Sequence, residues 1–380
     1  MAYPLEGIKV LDLTRVLSGP FATRILSDLG ADVVKVEPPR GDLTRAYGSR
    51  IGNISSHYTQ HNAGKRNVCI DLGAEGAPEL VRELADQADV VAENFRPGVM
   101  ARYGLDWDTL HARNPRMVML SISGFGQHGP ERDRPAYAPV LHAETGLIDR
   151  FADIHGNRAV DFPLSTADTA ASVHGVIGLL SALLMAQRTG RGQHIDLAMV
   201  NAQFYNDDYL SMVMAGDDPP AGGGEVWDIP GGRIIIAAAL RYLWRLIAER
   251  EGFEDPGDEA GRRAVLTDHF AAMPTWEAVT GLLDELNIPW GRVRPWQDAV
   301  FQSPSLEGRE LLTSIDDRAG GTRPVTQSPY RFSDAESGVR GPAPYRGEHN
   351  AEVLADWLGH SSDAVATLAD AGVLLEQERP

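Results

Sequence analysis

One aspartate in this sequence stands where a carboxylate could take part in a reaction. Asp168 lies in the stretch STADTAAS, directly before a long apolar pattern. A carboxylate held against an electrophile can attack it and form a covalent intermediate. An acidic residue in the first turn of a helix also has a simpler role, because its charge opposes the positive end of the helix dipole. The residues around Asp168 leave both interpretations open.

The apolar pattern after Asp168 predicts a helix that ends at about Gln187. We expect Ser165 or Thr166 to cap its start, and Gly190 to end it in a left-handed conformation. Apolar residues recur every three or four positions, which is typical of a helix face directed at a core. They are Val173, Val176, Ile177, Leu180, Leu183 and Leu184.

Other common catalytic patterns are absent from the sequence. The 11 histidines form no HExxH motif, and no Cys or His cluster has the spacing of metal ligands, so we predict no metal site. The patterns GxSxG and GxxxxGK[ST] are missing too, which removes support for a serine hydrolase and a P-loop. The turn Ser18-Gly19-Pro20 is a weak candidate for holding an anion on backbone N–H groups.

Composition narrows the class of protein. The chain has 380 residues, 43% apolar and 23% charged, which predicts a globular protein of two domains. A formal net charge of −18 argues against broad nucleic-acid binding. The longest apolar stretch is too short and interrupted to span a bilayer, and the N-terminus lacks an export pattern. With Cys69 as its single cysteine, we expect a cytoplasmic protein without a membrane partner.

The order of the predicted elements favours an α/β fold. Strand-like residues 8–13, a helix beginning near Pro20 and strand-like residues 31–36 form a βαβ unit, and later segments repeat the alternation. This pattern predicts a Rossmann-like parallel sheet with helices on both faces. Ligands bind beyond the carboxyl ends of such strands, so the turns that follow the strands are the candidate ligand contacts.

The chain divides by composition into four segments. We predict a large α/β domain over 1–205, a Gly- and Pro-rich linker over 206–228 and a smaller α+β domain over 229–320. The last segment, 321–380, is expected to return to the large domain and pack a C-terminal helix on it.

The order of motifs resembles that of family III coenzyme A transferases, which include formyl-CoA transferases and have 2-methylacyl-CoA racemases as close relatives. The similar phrases follow the family order and cover nearly the whole chain: VLDLTRVLSGPFATRILSDLGADVVKVEPPRGDLTR, NAGKRNVCIDL, ADVVAENFRPGVMARYGLD, NPRMVMLSISGFGQHGP, ADTAAS, TGRGQHIDLAMV and APYRGEHN. The resemblance implies that Asp168 is the catalytic nucleophile. The helix-start role of Asp168 is compatible with this, because the same dipole would stabilise the carboxylate.

The resemblance also implies the reaction. CoA moves from an acyl-CoA donor to a small carboxylic acid through an aspartyl mixed anhydride and an aspartyl-CoA thioester, so CoA is a substrate and no tightly bound cofactor is expected. Water must be excluded, because anhydrides hydrolyse. Gly222, Gly223 and Gly224 are either a mobile cover near the substrate or part of a plain linker.

The family's CoA contacts carry over by position. Val16 and Leu17 would line the pantetheine and thioester, and Asn94 and Phe95 would contact the pantetheine or nucleotide. Arg102 would bind phosphate. The remaining expected contacts are Ile70 and Gly73 near the adenine and Arg40 as a second phosphate partner. Each arginine could instead be a solvated surface charge.

Several positions depart from the family pattern. Pro38, Leu17 and Pro135 replace an arginine, a glutamine and a lysine of the formyl-CoA transferases, which puts oxalate and formyl-CoA in doubt as substrates. Tyr137 stands at the racemase histidine, and a tyrosine is a poor acid/base group near neutral pH. His142, five residues on, could touch the acyl group.

These departures leave alternatives to the transferase. A 2-methylacyl-CoA racemase is the second hypothesis, and a non-catalytic CoA-binding protein or an acyl-CoA hydrolase is less favoured. The family further implies an interlaced homodimer, with the site built at the interface between the two chains.

Overall fold

The computed structural model describes residues 2–156, 158–218, 223–302 and 308–377. The chain forms two compact units, Met1–Asp208 with Glu310–Pro380, and Tyr209–Arg309. These boundaries differ from the predicted ones at both ends of the smaller domain. The segment predicted as a linker contributes a helix and a strand to the second unit, and residues 310–320 belong to the first.

A six-stranded parallel sheet is the centre of the first unit. The strands of this part of the chain are β1 (Lys9–Asp12), β2 (Asp32–Glu37), β3 (Arg50–Ile51), β4 (Ile54–Ser55), β5 (Arg66–Cys69), β6 (Val90–Glu93), β7 (Val118–Ser123) and β8 (His194–Ala198). The sheet order is β5-β2-β1-β6-β7-β8, and every neighbouring pair is parallel. The direction of winding therefore reverses between β1 and β6, and a ligand crevice is expected at their carboxyl ends. The predicted α/β class is confirmed.

Helices cover both faces of this sheet. In chain order they are α1 (Ser18–Asp28), α2 (Ser56–Asn62), α3 (Ala77–Asp86), α4 (Val99–Arg102), α5 (Trp107–Arg113), α6 (Ala138–Glu144), α7 (Leu147–His155), α8 (Thr166–Thr189) and α9 (Met199–Tyr205). Successive residues of β1 show why both faces need cover. Val10 packs in a core with α1 and α8, whereas Leu11 packs in a second core with α3. Both side chains are fully buried, as expected for a central parallel strand.

The second unit has its own apolar core and a three-stranded antiparallel sheet, ordered β11-β10-β9. Ile234 and Ile236 of the central strand are fully buried and pack with Phe270. Its elements are α10 (Leu210–Ala215), β9 (Glu225–Ile229), β10 (Gly232–Ile236), α11 (Leu240–Glu251), α12 (Glu259–Ala272), α13 (Trp276–Glu285), β11 (Trp290–Arg292) and α14 (Trp296–Gln302).

The chain then returns to the first unit. Strands β12 (Leu312–Asp316) and β13 (Thr322–Thr326) form an antiparallel hairpin, and α15 (Asn350–Leu358) and α16 (Ser362–Asp370) follow. Val353, Leu354 and Trp357 of α15 are buried in the core that contains Leu11. Helix α15, in the C-terminal segment, therefore packs on the sheet.

Helix α8 differs from its predicted core stripe. The predicted left-handed end at Gly190 is confirmed, with φ of 73°. Val173, Ile177 and Leu184, however, are 45%, 55% and 48% exposed, so their assignment to the core is wrong. The buried face consists mainly of small residues, which let the helix approach the sheet closely: a Cβ added at Gly175 would lie 3.0 Å from Leu120 Cδ2.

Helix α8 is both long and apolar. Within the described ranges, Thr166–Thr189 is the helix long and apolar enough to cross a membrane, and 50% of its apolar window is buried inside the protein. The helix packs against α1, β7, β8 and α9. These contacts identify it as a core helix of the first unit.

A buried lysine joins β1 to two helices. Lys65 Nζ lies 3.0 Å from Asp12 Oδ2 and donates to Pro20 O, Thr23 Oγ1 and Asn62 Oδ1 at 2.8–3.0 Å. Burial by itself would raise the pKa of Asp12, but Lys65 and Lys35 outweigh it and hold that pKa well below its ordinary value. The ion pair therefore depends on its hydrogen-bond partners, as buried pairs do.

Removing this lysine should be strongly destabilising. We expect Lys65→Met to lower the free energy of unfolding by about 3–5 kcal/mol, because it leaves the Asp12 carboxylate buried without its nearest cation. Urea unfolding at pH 7 measures the change. The difference from the wild type should shrink as the pH is lowered toward 4 and below, where Asp12 becomes protonated in the unfolded chain.

Lys9→Met is the matched control for this prediction. Lys9 Nζ lies 5.2 Å from the ring centroid of Trp357 at the rim of the same sheet, so its loss should cost about 1 kcal/mol or less. Equal effects of the two substitutions would contradict the importance given to Lys65.

Candidate active site

The Asp168 carboxylate lies where the first turns of two helices meet. Asp168 is the third residue of α8, and Ser18 is the first residue of α1. The backbone N–H and hydroxyl of Ser18 act on this carboxylate and favour its ionised form. Ser172, one turn further along α8, donates to Ser18 O at 2.7 Å and fixes the two helices together. From its sequence, the turn Ser18-Gly19-Pro20 is a weak candidate for binding an anion. The anion that lies beside it is the Asp168 carboxylate.

The protonation of Asp168 reflects two opposing effects. Burial raises the pKa of Asp168 to about 6, and the interactions with Ser18 offset that effect only in part. At pH 7 about ten carboxylates are still ionised for each one protonated. The group is therefore an anion that is more basic than an ordinary aspartate, which favours nucleophilic attack.

The turn after β1 has a strained backbone. Val16 has φ of 68°, a left-handed conformation that a β-branched residue rarely adopts. Its N–H donates to the Asp42 carboxylate at 3.2 Å. Lys35 Nζ lies 3.3 Å from that carboxylate and donates to Thr14 O at 2.6 Å. Because Lys35 and Asp42 are buried, this pair holds the turn from beneath.

Gly19 and Asn94 also fix the conformation of the turn after β1. A Cβ added at Gly19 would lie 2.3 Å from Thr14 Cβ, so a side chain there would displace Thr14 or the start of α1. Asn94, directly after β6, accepts from Arg15 N and donates to Arg15 O, both at 2.8 Å. It also donates to Ser18 Oγ at 3.2 Å. The ends of β1 and β6 are thereby joined at the switch point of the sheet.

A small cavity of about 100 Å³ opens at Asp168. Val16, Asn94, Phe95 and Tyr137 lie on its wall, and Tyr137 is 61% exposed. Four arginines also line it: Arg15, Arg96, Arg132 and Arg134. The cavity is consequently cationic around one carboxylate, despite the strong negative charge of the whole chain.

The arginines of this cavity differ in their partners. Arg134 pairs with Glu131 and Glu144, and Arg132 lies 3.4 Å from Asp133. Arg15 lies over the Phe95 ring, 5.3 Å from its centroid. Within the part of the chain that the structure describes, no ion pair involves Arg15, which leaves its charge available to an anion in the cavity.

A second cavity of about 830 Å³ adjoins the first. The two share Arg15, Phe95 and Arg96. The predicted CoA contacts on the wall of the larger cavity are Arg40, Ile70, Gly73, Phe95 and Arg102. A long ligand with a phosphate-bearing end could therefore lie in the larger cavity and direct its other end toward Asp168.

Two predicted site residues of the first unit line neither of its cavities. Leu17 caps α1 without lining either cavity, and His142 is fully buried rather than on the cavity wall. Gly223 and Gly224 belong to the second unit, where a Cβ at Gly224 would lie 2.5 Å from Ile236 O. Gly222 lies outside the described residues.

Sequence reasoning missed several residues of the site. Arg15 and Arg96 follow β1 and β6 closely, so the rule that ligands bind at strand ends could have identified them. Lys35 and Asp42 had no such signal, because only the folded chain brings them under the Val16 turn. Within the described ranges, no group of three His, Cys, Asp or Glu residues could hold a metal ion.

Comparison with known proteins agrees with this geometry. The family model "CoA-transferase family III" matches residues 5–350. A formyl-CoA:oxalate CoA-transferase of Streptomyces avermitilis is 33% identical over 98% of this chain and 100% of its own. A succinate–glutarate CoA-transferase of Agrobacterium fabrum is 31% identical over 93% of this chain and 95% of its own.

A solved structure is similar over the same extent. The crystal structure of a CAIB/BAIF family protein from Brucella suis has a TM-score of 0.80 and 30% identity, covering 94% of this chain and 100% of that one. The match of fold, sequence and motif order extends through both units. The chain therefore belongs to CoA-transferase family III and is an acyl-CoA:carboxylate CoA-transferase.

Proposed function

We propose that Asp168 is the covalent nucleophile of this transferase. The environment of this carboxylate carries the proposal. The group is partly desolvated, interacts with Ser18 and lies on the wall of a cavity that adjoins a larger one. The larger cavity would hold CoA, with Arg40 and Arg102 near its phosphates and Ile70 and Gly73 near its adenine.

The first half of the reaction loads CoA onto the aspartate. An oxygen of Asp168 attacks the thioester carbonyl, the C–S bond breaks, and a mixed anhydride and CoA thiolate form. The thiolate then attacks the aspartyl carbonyl of the anhydride. The donor acid leaves as its carboxylate, and an aspartyl-CoA thioester remains. Each step exchanges one bond to an acyl carbon for another and needs no proton transfer.

The second half repeats these steps with the acceptor. The acceptor carboxylate attacks the aspartyl thioester and expels CoA thiolate, which gives a new anhydride. The thiolate then attacks the acceptor's carbonyl carbon, so acceptor-CoA forms and Asp168 is released as a carboxylate. Ser18 would stabilise that carboxylate as both nucleophile and leaving group.

The acceptor is a small dicarboxylic acid in this proposal. One carboxylate must reach Asp168, and Arg15 and Arg96 on the cavity wall can pair with a second. The two transferases compared above are named for oxalate, succinate and glutarate, which are acids of this kind. A monocarboxylic acid would leave the arginines without that partner.

The chain is also expected to act as a homodimer. The outward side of α8 carries several exposed apolar residues, and a soluble chain would cover such a surface by association; they are Val173, Ile177, Leu184 and Met185. Cys69 is buried, and burial raises the pKa of its thiol to about 12, so it is unreactive and compatible with the cytoplasm.

The homodimer has a direct test. Sedimentation velocity should give about twice the mass of the chain, and Ile177→Glu should shift the protein toward monomer, because it places a charge in the centre of the apolar surface. Asp363→Lys on α16 changes an exposed charge elsewhere and should leave the mass unchanged. A wild-type monomer would contradict the expectation.

Trapping of the intermediate tests the nucleophile. With acyl-CoA and hydroxylamine, intact-protein mass spectrometry should detect a hydroxamate at Asp168. Asp168→Asn should form none and should lose at least about 10³-fold in transfer rate, because the amide cannot attack the thioester. Adding dicarboxylic or monocarboxylic acids in place of hydroxylamine identifies the acceptor from the acyl-CoA produced.

The same experiment separates the alternatives. A chiral 2-methylacyl-CoA that exchanges its α-hydrogen with solvent, without labelling of Asp168, would favour the racemase. Acid released without an acceptor would favour a hydrolase. CoA binding with none of these reactions would favour a binding protein.

The pH dependence of aspartyl-thioester formation should follow Asp168. Its carboxylate reacts only when ionised, so the single-turnover rate should be constant above about pH 7 and fall about tenfold for each unit below pH 6. Quenched-flow mass spectrometry measures the rate, and circular dichroism checks that the fold persists. A midpoint near 4 would contradict the desolvated environment described for this group.

A further inference from the structure

A buried histidine lies behind the first turn of α8. His142 is fully buried on α6, the helix that begins after Tyr137 on the cavity wall. Its Nδ1 lies 2.8 Å from Asp161 Oδ1. Its Nε2 lies 3.0 Å from Thr166 Oγ1 and 3.4 Å from Ala167 N. The reaction proposed above assigns no role to this group.

These contacts determine the form of the imidazole. A backbone N–H can only donate, so the bond from Ala167 requires a lone pair on Nε2. The Thr166 hydroxyl, which also lies 3.2 Å from Gln203 Oε1, then directs its one proton to Nε2. The proton of the neutral ring is then on Nδ1, where it donates to the Asp161 carboxylate. The Phe162 ring stacks on the imidazole with centroids 4.5 Å apart and planes 22° apart. Asp161 and Phe162 therefore fix both the tautomer and the ring plane.

The bond from Ala167 replaces an absent helix cap. The first backbone N–H groups of a helix lack partners within it, and a side chain of the capping residue usually accepts from one of them. Ser165 occupies that capping position in α8 but makes no side-chain bond of this kind. His142, from another helix, accepts from Ala167 instead.

We propose that His142, oriented by Asp161, is a positioning residue that holds the first turn of α8 and thereby the Asp168 carboxylate against Ser18. Asp168 is the residue directly after Ala167, so fraying of this turn would move the carboxylate away from Ser18. The inference rests on the proposed role of Asp168 as the nucleophile.

The location of the pair predicts which step it affects. His142, Asp161, Thr166 and Ala167 line neither cavity. Their loss should therefore slow aspartyl-thioester formation and leave the affinity for CoA unchanged. A general loss of fold would change both.

The principal variants are His142→Leu and His142→Gln. His142→Leu removes the acceptor, and we expect the single-turnover rate of aspartyl-thioester formation to fall about 3- to 30-fold, the range that a lost cap implies. The dissociation constant of CoA, measured by calorimetry, should change less than twofold. His142→Gln keeps one acceptor and one donor and should recover the rate to within about threefold of the wild type.

Asp161→Leu is a second variant for the case that His142→Leu does not fold. Without the carboxylate, the ring proton is free to move to Nε2 and oppose the Ala167 N–H, so the rate should fall in the same direction. Hydrogen exchange, read by mass spectrometry, should show lower protection of residues 166–170 in both leucine variants. This readout does not depend on the reaction.

Val353→Ala is the control for lost stability. It removes buried volume on the opposite face of the sheet and should lower the melting temperature without slowing the reaction. Folded leucine variants with unchanged rate and protection would overturn the inference. So would a failure of His142→Gln to recover the rate. Wild-type protein that forms no hydroxamate would instead overturn the proposed function, while the exchange measurement would still decide the cap.

Discussion

The loss of water around Asp168 is offset in part by interactions that depend on how the first unit folds. Burial makes the carboxylate harder to ionise, and the N–H and hydroxyl of Ser18 act in the opposite direction, so the group is still largely an anion at neutral pH. Ser18 can act on it because α1 and α8 begin at the same place. Those two helices meet there because they pack side by side on one face of the parallel sheet.

The turn between β1 and α1 illustrates how buried charge supports a reactive site. Val16 adopts a conformation that an isolated chain would avoid, and it is held there by Asp42 and Lys35. Buried ion pairs add little net stability compared with apolar residues, but they define geometry where every partner is satisfied. Asp12 and Lys65 do the same beneath the start of α1. The polar interior of this unit is therefore concentrated under the turn that lines the cavity at Asp168.

The cavities carry positive charge, whereas the whole chain is strongly negative. The chain carries a formal net charge of −18, yet arginines line both cavities. Such an arrangement suits an enzyme whose substrates are a polyanionic thioester and a carboxylic acid, because attraction acts at the site and not over the surface. In the proposed reaction, the cavity arginines would attract these anionic substrates in spite of the negative charge of the whole chain.

Much of this could be predicted from the sequence. Alternating strand and helix patterns determined the parallel sheet, because burial on both faces requires continuous apolar strands. The order of motifs indicated the family, and that resemblance pointed to Asp168 as the expected nucleophile, whereas the residues around it are equally compatible with an ordinary helix start. Arg40, Ile70, Gly73 and Phe95 were also assigned to a CoA site, and they line one cavity.

The tertiary structure decided what depends on contacts between distant segments. The exposed side of α8 could not be read from periodicity, because a helix rich in apolar residues on every side has no single preferred face. The partners of Asp168 come from α1, and the acceptor at the start of α8 comes from α6. A short side chain such as Ser18, or a buried imidazole such as His142, has no local pattern that names its partner. Its role is determined only when folding brings the two segments within hydrogen-bonding distance.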